Sequence, residues 1–109
     1  EDANIENGCM WTSEGGHKGP LRHLWKRKNN DLKMETLDET PFGKMDTILE
    51  AKKGSLILLH GRLPHYSSEN KSNHSRHAYT FHVIDGNCEY PEFNWLQRSQ
   101  SMPLKGFLD

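Results

Sequence analysis

The sequence predicts an antiparallel all-β fold, and three observations support this prediction. Short apolar runs fill the second half of the chain, the longest of them at residues 56–59. Clusters of turn residues such as Asp85-Gly86-Asn87 separate these runs. Only two short stretches are interpreted as helical. Short strands joined by turns, with little helix, are typical of antiparallel sheets.

The N-terminal half is predicted to contain one short strand and a long loop. Cys9-Met10-Trp11 is a brief apolar run between an acidic, Asn-rich start and a loop rich in Gly and Pro at residues 15–20. This pattern indicates a strand that ends in a turn. Residues 21–46 are charged with scattered apolar positions. We expect them to form a long surface excursion with one short helical stretch.

The C-terminal half is predicted to be more ordered. Residues 48–51 and 63–67 are expected to form short strands, and residues 55–60 form a near-continuous apolar run that indicates a buried strand. Residues 76–84 are the longest strand candidate, and residues 91–97 are interpreted as a helical turn. The second half is therefore expected to carry most of the sheet.

Composition limits the classes of function. The chain has 109 residues, 33% of them hydrophobic, with 14 basic and 15 acidic side chains. No one-sided basic block appears, so nucleic acid is not an expected partner. The longest apolar run is far shorter than the about 20 residues that cross a bilayer. Two cysteines do not make a disulfide framework, and an intracellular, cytoplasmic location is expected.

The most informative pattern is a histidine, a hydroxyl and an arginine at fixed spacing. His65 and Ser67 lie two residues apart on one predicted strand, so their side chains face the same way. On the predicted strand 76–84, Arg76 and His82 share a mostly polar face. If the two strands pair, His65 and Arg76 both point into one pocket.

This arrangement suits an iron site that uses a keto acid. Two histidines and one carboxylate on one side of an iron leave three positions open. A keto acid can take two of them and dioxygen the third. A dicarboxylate co-substrate also needs a cation at its far end, and the fork of an arginine donates two parallel hydrogen bonds to a carboxylate. A histidine followed by a hydroxyl and an arginine meets these needs.

Two stretches resemble the phytanoyl-CoA dioxygenase family. Leu58-Leu59-His60-Gly61 and Pro64-His65-x-Ser67, followed by Asn70 and Arg76, are similar to the family's distal-histidine region. Glu6-Asn7-Gly8-Cys9-Met10-Trp11, followed by Gly15-Gly16-His17-Lys18, is similar to a strand and turn of the family. The resemblance covers residues 1–19 and 48–104.

The resemblance implies the C-terminal part of a double-stranded β-helix, a cupin-like jelly roll, that uses Fe(II) with 2-oxoglutarate as co-substrate. It implies that His65 is the second histidine ligand of the iron, that Arg76 binds the distal carboxylate of 2-oxoglutarate, and that Ser67 adds a hydroxyl there. His82 is a candidate for a supporting role around the metal. The expected partners are a small-molecule or acyl substrate and dioxygen.

The chain departs from the family pattern in two ways. Gly16 replaces the usual serine before His17, and no His-x-Asp motif occurs in the 109 residues. We therefore expect residues 1–109 to be the C-terminal portion of a single dioxygenase domain that is inactive by itself. The alternative is a non-catalytic jelly-roll module for binding or scaffolding.

The remaining histidines are interpreted as structural. His60 ends the predicted buried strand, and His17 lies in a turn. A structural zinc site is a weak alternative, because His74-x-x-His77 and two separated cysteines do not provide four closely spaced ligands.

Overall fold

The computed structural model describes residues 1–107 and confirms an antiparallel all-β architecture. The strands are β1 (Met10–Thr12), β2 (His23–Lys28), β3 (Asp31–Thr36), β4 (Thr47–Leu49) and β5 (His65–Ser67), with one turn of 3-10 helix at Gly16–Lys18. Over residues 1–107 the strands form two open sheets rather than a closed barrel. No helix within that range is long and apolar enough to span a membrane.

The chain divides into two compact units. The first unit contains residues 1–21 and 40–80, and the second contains residues 22–39 and the segment that begins at Phe81. The predicted strands near residues 9–11, 48–51 and 63–67 are confirmed as β1, β4 and β5 of the first unit.

The first unit is built on a three-stranded antiparallel sheet in which β1 lies between β4 and β5. Each residue of β1 pairs with one residue on either side. Because side chains alternate along a strand, Met10 and Thr12 face one side of the sheet and Trp11 faces the other. The His65 face, as we call it, carries Met10, Thr12, Thr47, Leu49, His65 and Ser67, and the opposite face carries Trp11, Ile48 and Tyr66.

The buried residues of the first unit surround the turn that leads into β1. Asn7 and Cys9 are 4% and 0% exposed, and Thr12 is 5% exposed. The Asn7 amide accepts a hydrogen bond from the Asn4 backbone at 2.8 Å and donates one to the Asp2 carbonyl at 2.8 Å. A buried amide with both its oxygen and its nitrogen hydrogen-bonded costs little and fixes the local backbone.

The N-terminal segment also ties together two parts of the first unit that are distant in sequence. Ala3 pairs with Ala51 in an isolated antiparallel bridge beyond the end of β4. The Glu1 carboxylate accepts hydrogen bonds from the His77 backbone at 2.6 Å and the Ser75 hydroxyl at 2.7 Å. These bonds, with the His77 backbone as the largest cause, lower the pKa of the Glu1 carboxyl to about 2.

The second unit is a β-hairpin with one further attachment. β2 and β3 pair over six residues, and Trp25 lies opposite Met34. Asn29 and Asn30 have φ values of 50° and 70°, as a two-residue hairpin turn with positive φ at both positions requires. The Arg27 backbone donates to the Phe93 carbonyl at 2.7 Å on the outer edge of β2. The short helical stretch predicted in residues 21–46 is therefore wrong, because the Asn pair reverses the chain into a hairpin.

Three other sequence predictions are also wrong. Residues 55–60 and 76–84 are mostly exposed and form no strand, with Leu58 84% and Tyr79 91% exposed. A strand needs a hydrogen-bonded neighbour, and none of residues 1–107 provides one for these segments. Residues 91–97 form a turn closed by a bond from the Asn94 backbone to the Pro91 carbonyl at 2.9 Å, not a helical turn.

Gly8→Ala is expected to destabilise the first unit strongly. Gly8 has a φ of +82°, and a Cβ at this position would lie 2.6 Å from the Ser68 carbonyl oxygen. A left-handed backbone costs a non-glycine residue about 1–2 kcal/mol, and a steric overlap adds about 1–3 kcal/mol. The change in the free energy of unfolding is measured by urea denaturation.

Gly54→Ala is the matched control for this substitution. Gly54 has a φ of +87°, but no atom lies within 4 Å of the position of an added Cβ. The free energy of unfolding of this variant should fall only by the cost of the left-handed backbone, about 1–2 kcal/mol. Equal losses in the two variants would show that the close approach of Gly8 to Ser68 has no energetic weight.

Candidate functional site

Strand β5 places His65 and Ser67 on the same face of the sheet. Tyr66, between them, points to the opposite face, where its ring stacks on Trp11 with centroids 6.3 Å apart and planes 17° apart. The His65 Nδ1 lies 2.8 Å from the Leu63 carbonyl oxygen. A carbonyl only accepts, so Nδ1 carries the proton in this bond. The unprotonated Nε2 of His65 is then available as a ligand atom.

The turn before β5 is held by the centre of the sheet. The Leu63 backbone donates to the His60 carbonyl at 2.9 Å. The buried Thr12 hydroxyl donates to the Pro64 carbonyl at 2.7 Å. The second bond connects β1 to the residue that precedes His65, so the position of the histidine depends on the strand next to it.

Arg76 is hydrogen-bonded to Ser67, a residue of the His65 face. Its Nη2 donates to the Ser67 Oγ at 3.2 Å, and its side chain is half-buried. The guanidinium of Arg76 therefore lies beside the hydroxyl of Ser67, which shares its face of the sheet with His65. Within residues 1–107, no carboxylate lies at ion-pair distance from Arg76. The remaining donors of its fork can therefore bind an added carboxylate.

The charge of Arg76 also affects Cys9, the buried residue that precedes β1. Burial raises the pKa of the Cys9 thiol, and the Glu50 carboxylate raises it further, whereas Arg76 lowers it. Cys9 is fully buried. The arginine thus provides positive charge to a region from which water is partly excluded, and charge is felt more strongly there than in bulk water.

The structure brings together three of the four predicted site residues. His65 and Ser67 lie on one face of the sheet, and Arg76 is hydrogen-bonded to Ser67 although the predicted strand 76–84 does not form. His82 lies in the second unit, where its ring packs edge-on against Trp95 with centroids 6.5 Å apart. His82 would share a face with Arg76 only if residues 76–84 formed a strand, and they do not. A role for His82 around the metal stays a prediction.

The part of the chain that the structure describes contains no complete metal site. No group of three or more His, Cys, Asp or Glu side chains within residues 1–107 could hold a metal ion. A facial iron site needs two histidines and one carboxylate. The Nε2 of His65 is available as a ligand atom, and the assignment of His65 to a metal stays a prediction.

Sequence reasoning missed the groups that orient His65. The Leu63 carbonyl and the Thr12 hydroxyl act through bonds that no spacing rule predicts, because one joins residues 52 positions apart. The ring contact between His17 and His60 was also missed, with centroids 5.0 Å apart. Both histidines were interpreted separately as structural, and no sequence signal indicated that they meet.

Comparisons with known proteins agree on one family. A sequence profile described as Phytanoyl-CoA dioxygenase (PhyH) matches residues 1–78. The phytanoyl-CoA dioxygenase of Arabidopsis thaliana is 39% identical over 101 residues, covering 92% of this chain and 36% of the relative. Phytanoyl-CoA dioxygenase 1 of Oryza sativa subsp. japonica is 43% identical over 99 residues, covering 90% and 35%.

A relative with a different name shows a similar coverage. Phytanoyl-CoA dioxygenase domain-containing protein 1 of Rattus norvegicus is 35% identical over 109 residues, covering 95% of this chain and 38% of the relative. The chain therefore spans little more than a third of the length of these three relatives. No solved structure matches the chain.

Thr12→Val is expected to destabilise the turn before His65. The substitution keeps the shape and the β-branch but removes the hydroxyl that donates to the Pro64 carbonyl. Leaving a partly buried acceptor without its partner costs about 1–3 kcal/mol. Urea denaturation measures this loss.

Thr47→Val is the matched control, because Thr47 lies opposite Thr12 on the same face of the same sheet. No side-chain hydrogen bond of Thr47 appears among residues 1–107. This variant should change stability by less than about 0.5 kcal/mol. A Thr12→Val variant as stable as this control would contradict the role of the hydroxyl.

Proposed function

The chain belongs to the phytanoyl-CoA dioxygenase family, and from this membership we propose that it forms the C-terminal portion of an Fe(II)- and 2-oxoglutarate-dependent dioxygenase. One observation carries the proposal. His65 and Ser67 lie on one face of the sheet, and Arg76 is hydrogen-bonded to Ser67. A bound keto diacid requires a metal ligand and, near it, a receptor for its distal carboxylate.

His65 supplies one ligand of the iron through its Nε2. Ligating histidines almost always donate their other ring N–H to a carbonyl, a carboxylate or water, which fixes the tautomer and the ring plane. The bond from His65 Nδ1 to the Leu63 carbonyl has this form. The donor chemistry therefore fits the metal, and we place the second histidine and the carboxylate in a His-x-Asp motif upstream of Glu1.

Arg76 and Ser67 bind the distal carboxylate of 2-oxoglutarate. The guanidinium offers parallel donors that match the two carboxylate oxygens, and the Ser67 hydroxyl adds a third donor beside them. The half-buried position of Arg76 strengthens this attraction relative to a fully exposed ion pair. The diacid is thereby held at one end by this chain while its keto-acid end reaches the metal.

The overall reaction is the hydroxylation of a small organic or acyl substrate, coupled to the oxidative decarboxylation of 2-oxoglutarate to succinate and CO₂. Iron, when bound, supplies the chemistry that uses dioxygen. The residues of this chain bind and orient the co-substrate, and the Leu63 carbonyl keeps the proton of His65 on Nδ1. A non-catalytic jelly-roll module of the same fold is the alternative, and the tests below distinguish the two.

Arg76→Ala should raise the 2-oxoglutarate concentration that the intact enzyme requires. Removing one partner of a buried, hydrogen-bonded charge pair costs about 2–5 kcal/mol, and we expect an increase of at least about tenfold. Arg76→Lys should have a smaller effect, because an ammonium keeps the charge but not the fork. Affinity for Fe(II) measured without the co-substrate should be unchanged in both variants. Titration of 2-oxoglutarate against wild type and variants measures the effect.

Arg98→Ala is the control for this series, because Arg98 is an exposed arginine whose Nε donates to the Met102 carbonyl in the second unit. The Arg98→Ala variant should require the same 2-oxoglutarate concentration as wild type. Superimposable 2-oxoglutarate curves for all four proteins would contradict the assignment of Arg76.

His65→Ala should abolish Fe(II) binding and turnover of the intact enzyme while leaving its urea midpoint near that of wild type. The side chain is exposed, so its removal leaves no cavity in the core. His74→Ala is the control, because His74 is an exposed histidine in the loop that follows β5. Isothermal titration with Fe(II) under anaerobic conditions compares the two variants. Unchanged iron binding by His65→Ala would show that His65 is not the ligand, and a wild-type protein that binds no Fe(II) would favour the non-catalytic module.

A further inference from the structure

We propose that His60 is a positioning residue for the metal ligand His65, and that His17 holds His60 in place. His60 acts through the turn at residues 60–64, whose Leu63 carbonyl orients the His65 ring. This inference deepens the proposed function and rests on it, because it takes Nε2 of His65 as a metal ligand.

The orientation of the His65 ring depends on one acceptor. The side chain is exposed, so packing does not fix the ring plane. Among residues 1–107, the bond described for its ring is the one from Nδ1 to the Leu63 carbonyl at 2.8 Å. If this carbonyl rotates, the ring loses both its direction and its preference for the tautomer with a free Nε2.

The turn that carries the Leu63 carbonyl is held by His60. The Leu63 backbone donates to the His60 carbonyl at 2.9 Å, and the Arg62 backbone donates to the His60 Nδ1 at 3.1 Å. The imidazole therefore caps its own turn, as the side chain of an Asn or Asp does when it accepts from the backbone two residues on. Because Nδ1 accepts this bond, it carries no proton, and the neutral ring of His60 is protonated on Nε2.

The His60 ring packs against a second ring. The imidazole of His17 lies with its centroid 5.0 Å from that of His60, at an angle of 39° between the planes. His17 is the central residue of the 3-10 helix Gly16–Lys18, and its side chain is half-buried. His60 itself is exposed, so the His17 ring limits the rotamers that the capping imidazole can adopt.

Two further contacts join the same segments. The guanidinium of Arg62 donates to the Gly19 carbonyl. A Cβ at Gly16 would lie only 3.1 Å from the Pro64 Cδ, so the glycine lets the two backbones approach closely. Residues 16–19 thus contact the 60–64 turn at its start, middle and end. These contacts stabilise the turn that precedes His65.

The two histidines do not form a metal site of their own. Two nitrogens are too few for a stable closed site, which takes four ligands. No third His, Cys, Asp or Glu completes a metal-binding group with them in the part of the chain that the structure describes. Since the His60 Nδ1 already accepts from Arg62, the pair serves the turn rather than an ion.

The test compares three variants of the full-length protein, with Co(II) as the probe for the iron site. His60→Phe keeps a ring beside His17 but removes the acceptor, and it should lower Co(II) affinity by about ten- to hundredfold, as loss of a group that supports a ligand does. His60→Asn restores an acceptor for the Arg62 N–H and should bind Co(II) within about threefold of wild type. The Co(II) affinity of His17→Ala should lie between those of the two His60 variants.

A second readout needs no metal. Nitrogen NMR of the histidine rings in the metal-free protein reports which ring nitrogen of His65 carries the proton. Wild type and His60→Asn should show the Nδ1–H form, and His60→Phe should show a mixture of both forms. A merely structural role for His60 would lower the urea midpoint without moving this equilibrium.

The outcomes separate this inference from the proposed function. If His65→Ala binds Co(II) as wild type does, the proposed function is wrong. If His65→Ala does not bind and His60→Phe shows wild-type affinity and tautomer, the inference is wrong and the proposed function stands. If His60→Phe does not fold, His17→Ala replaces it, because that variant keeps the hydrogen bonds of the turn. Wild-type affinity and tautomer in His17→Ala would then overturn the inference.

Discussion

Strand β1 hydrogen-bonds to β4 along one edge and to β5 along the other, and the register of the second pairing controls the candidate site. A shift of one residue in a strand turns every side chain to the other face. Such a shift of β5 would replace His65 and Ser67 with Tyr66. His65 and Ser67 would then leave their common face together, so one register determines the positions of both.

Several independent contacts hold this register although β5 has only three residues. Trp11 and Tyr66 stack on the opposite face, and a cross-strand aromatic pair contributes roughly 0.2–1 kcal/mol. The bond from Thr12 to the Pro64 carbonyl fixes the start of β5, and the passage of Gly8 beside the Ser68 carbonyl fixes its end. A shifted strand would lose all three contacts at once, which makes the short strand specific.

The sequence predicted individual strands better than it predicted which strands pair with each other. β1, β4 and β5 were predicted because brief apolar runs ended at clear turns, whereas residues 55–60 were expected to be a buried strand and lie exposed. An apolar run indicates a tendency to be buried but does not say which strand will cover it. The hairpin of the second unit was missed for another reason. Its signal was Asn29-Asn30, and the dense charges around this pair were interpreted as a loop.

The candidate site shows how a correct contact can follow from a wrong reason. Arg76 was expected near Ser67 because residues 76–84 were predicted to pair with β5, yet no such strand exists among residues 1–107. The contact forms because the N-terminal segment fixes the start of the returning chain, where Glu1 accepts from Ser75 and His77 on either side of Arg76. Ser67 and Arg76 are therefore the two ends of a loop, and hydrogen bonds to Glu1 hold its second end in place. Its geometry depends on the N-terminal segment as much as on the loop itself, and no local pattern contains that information.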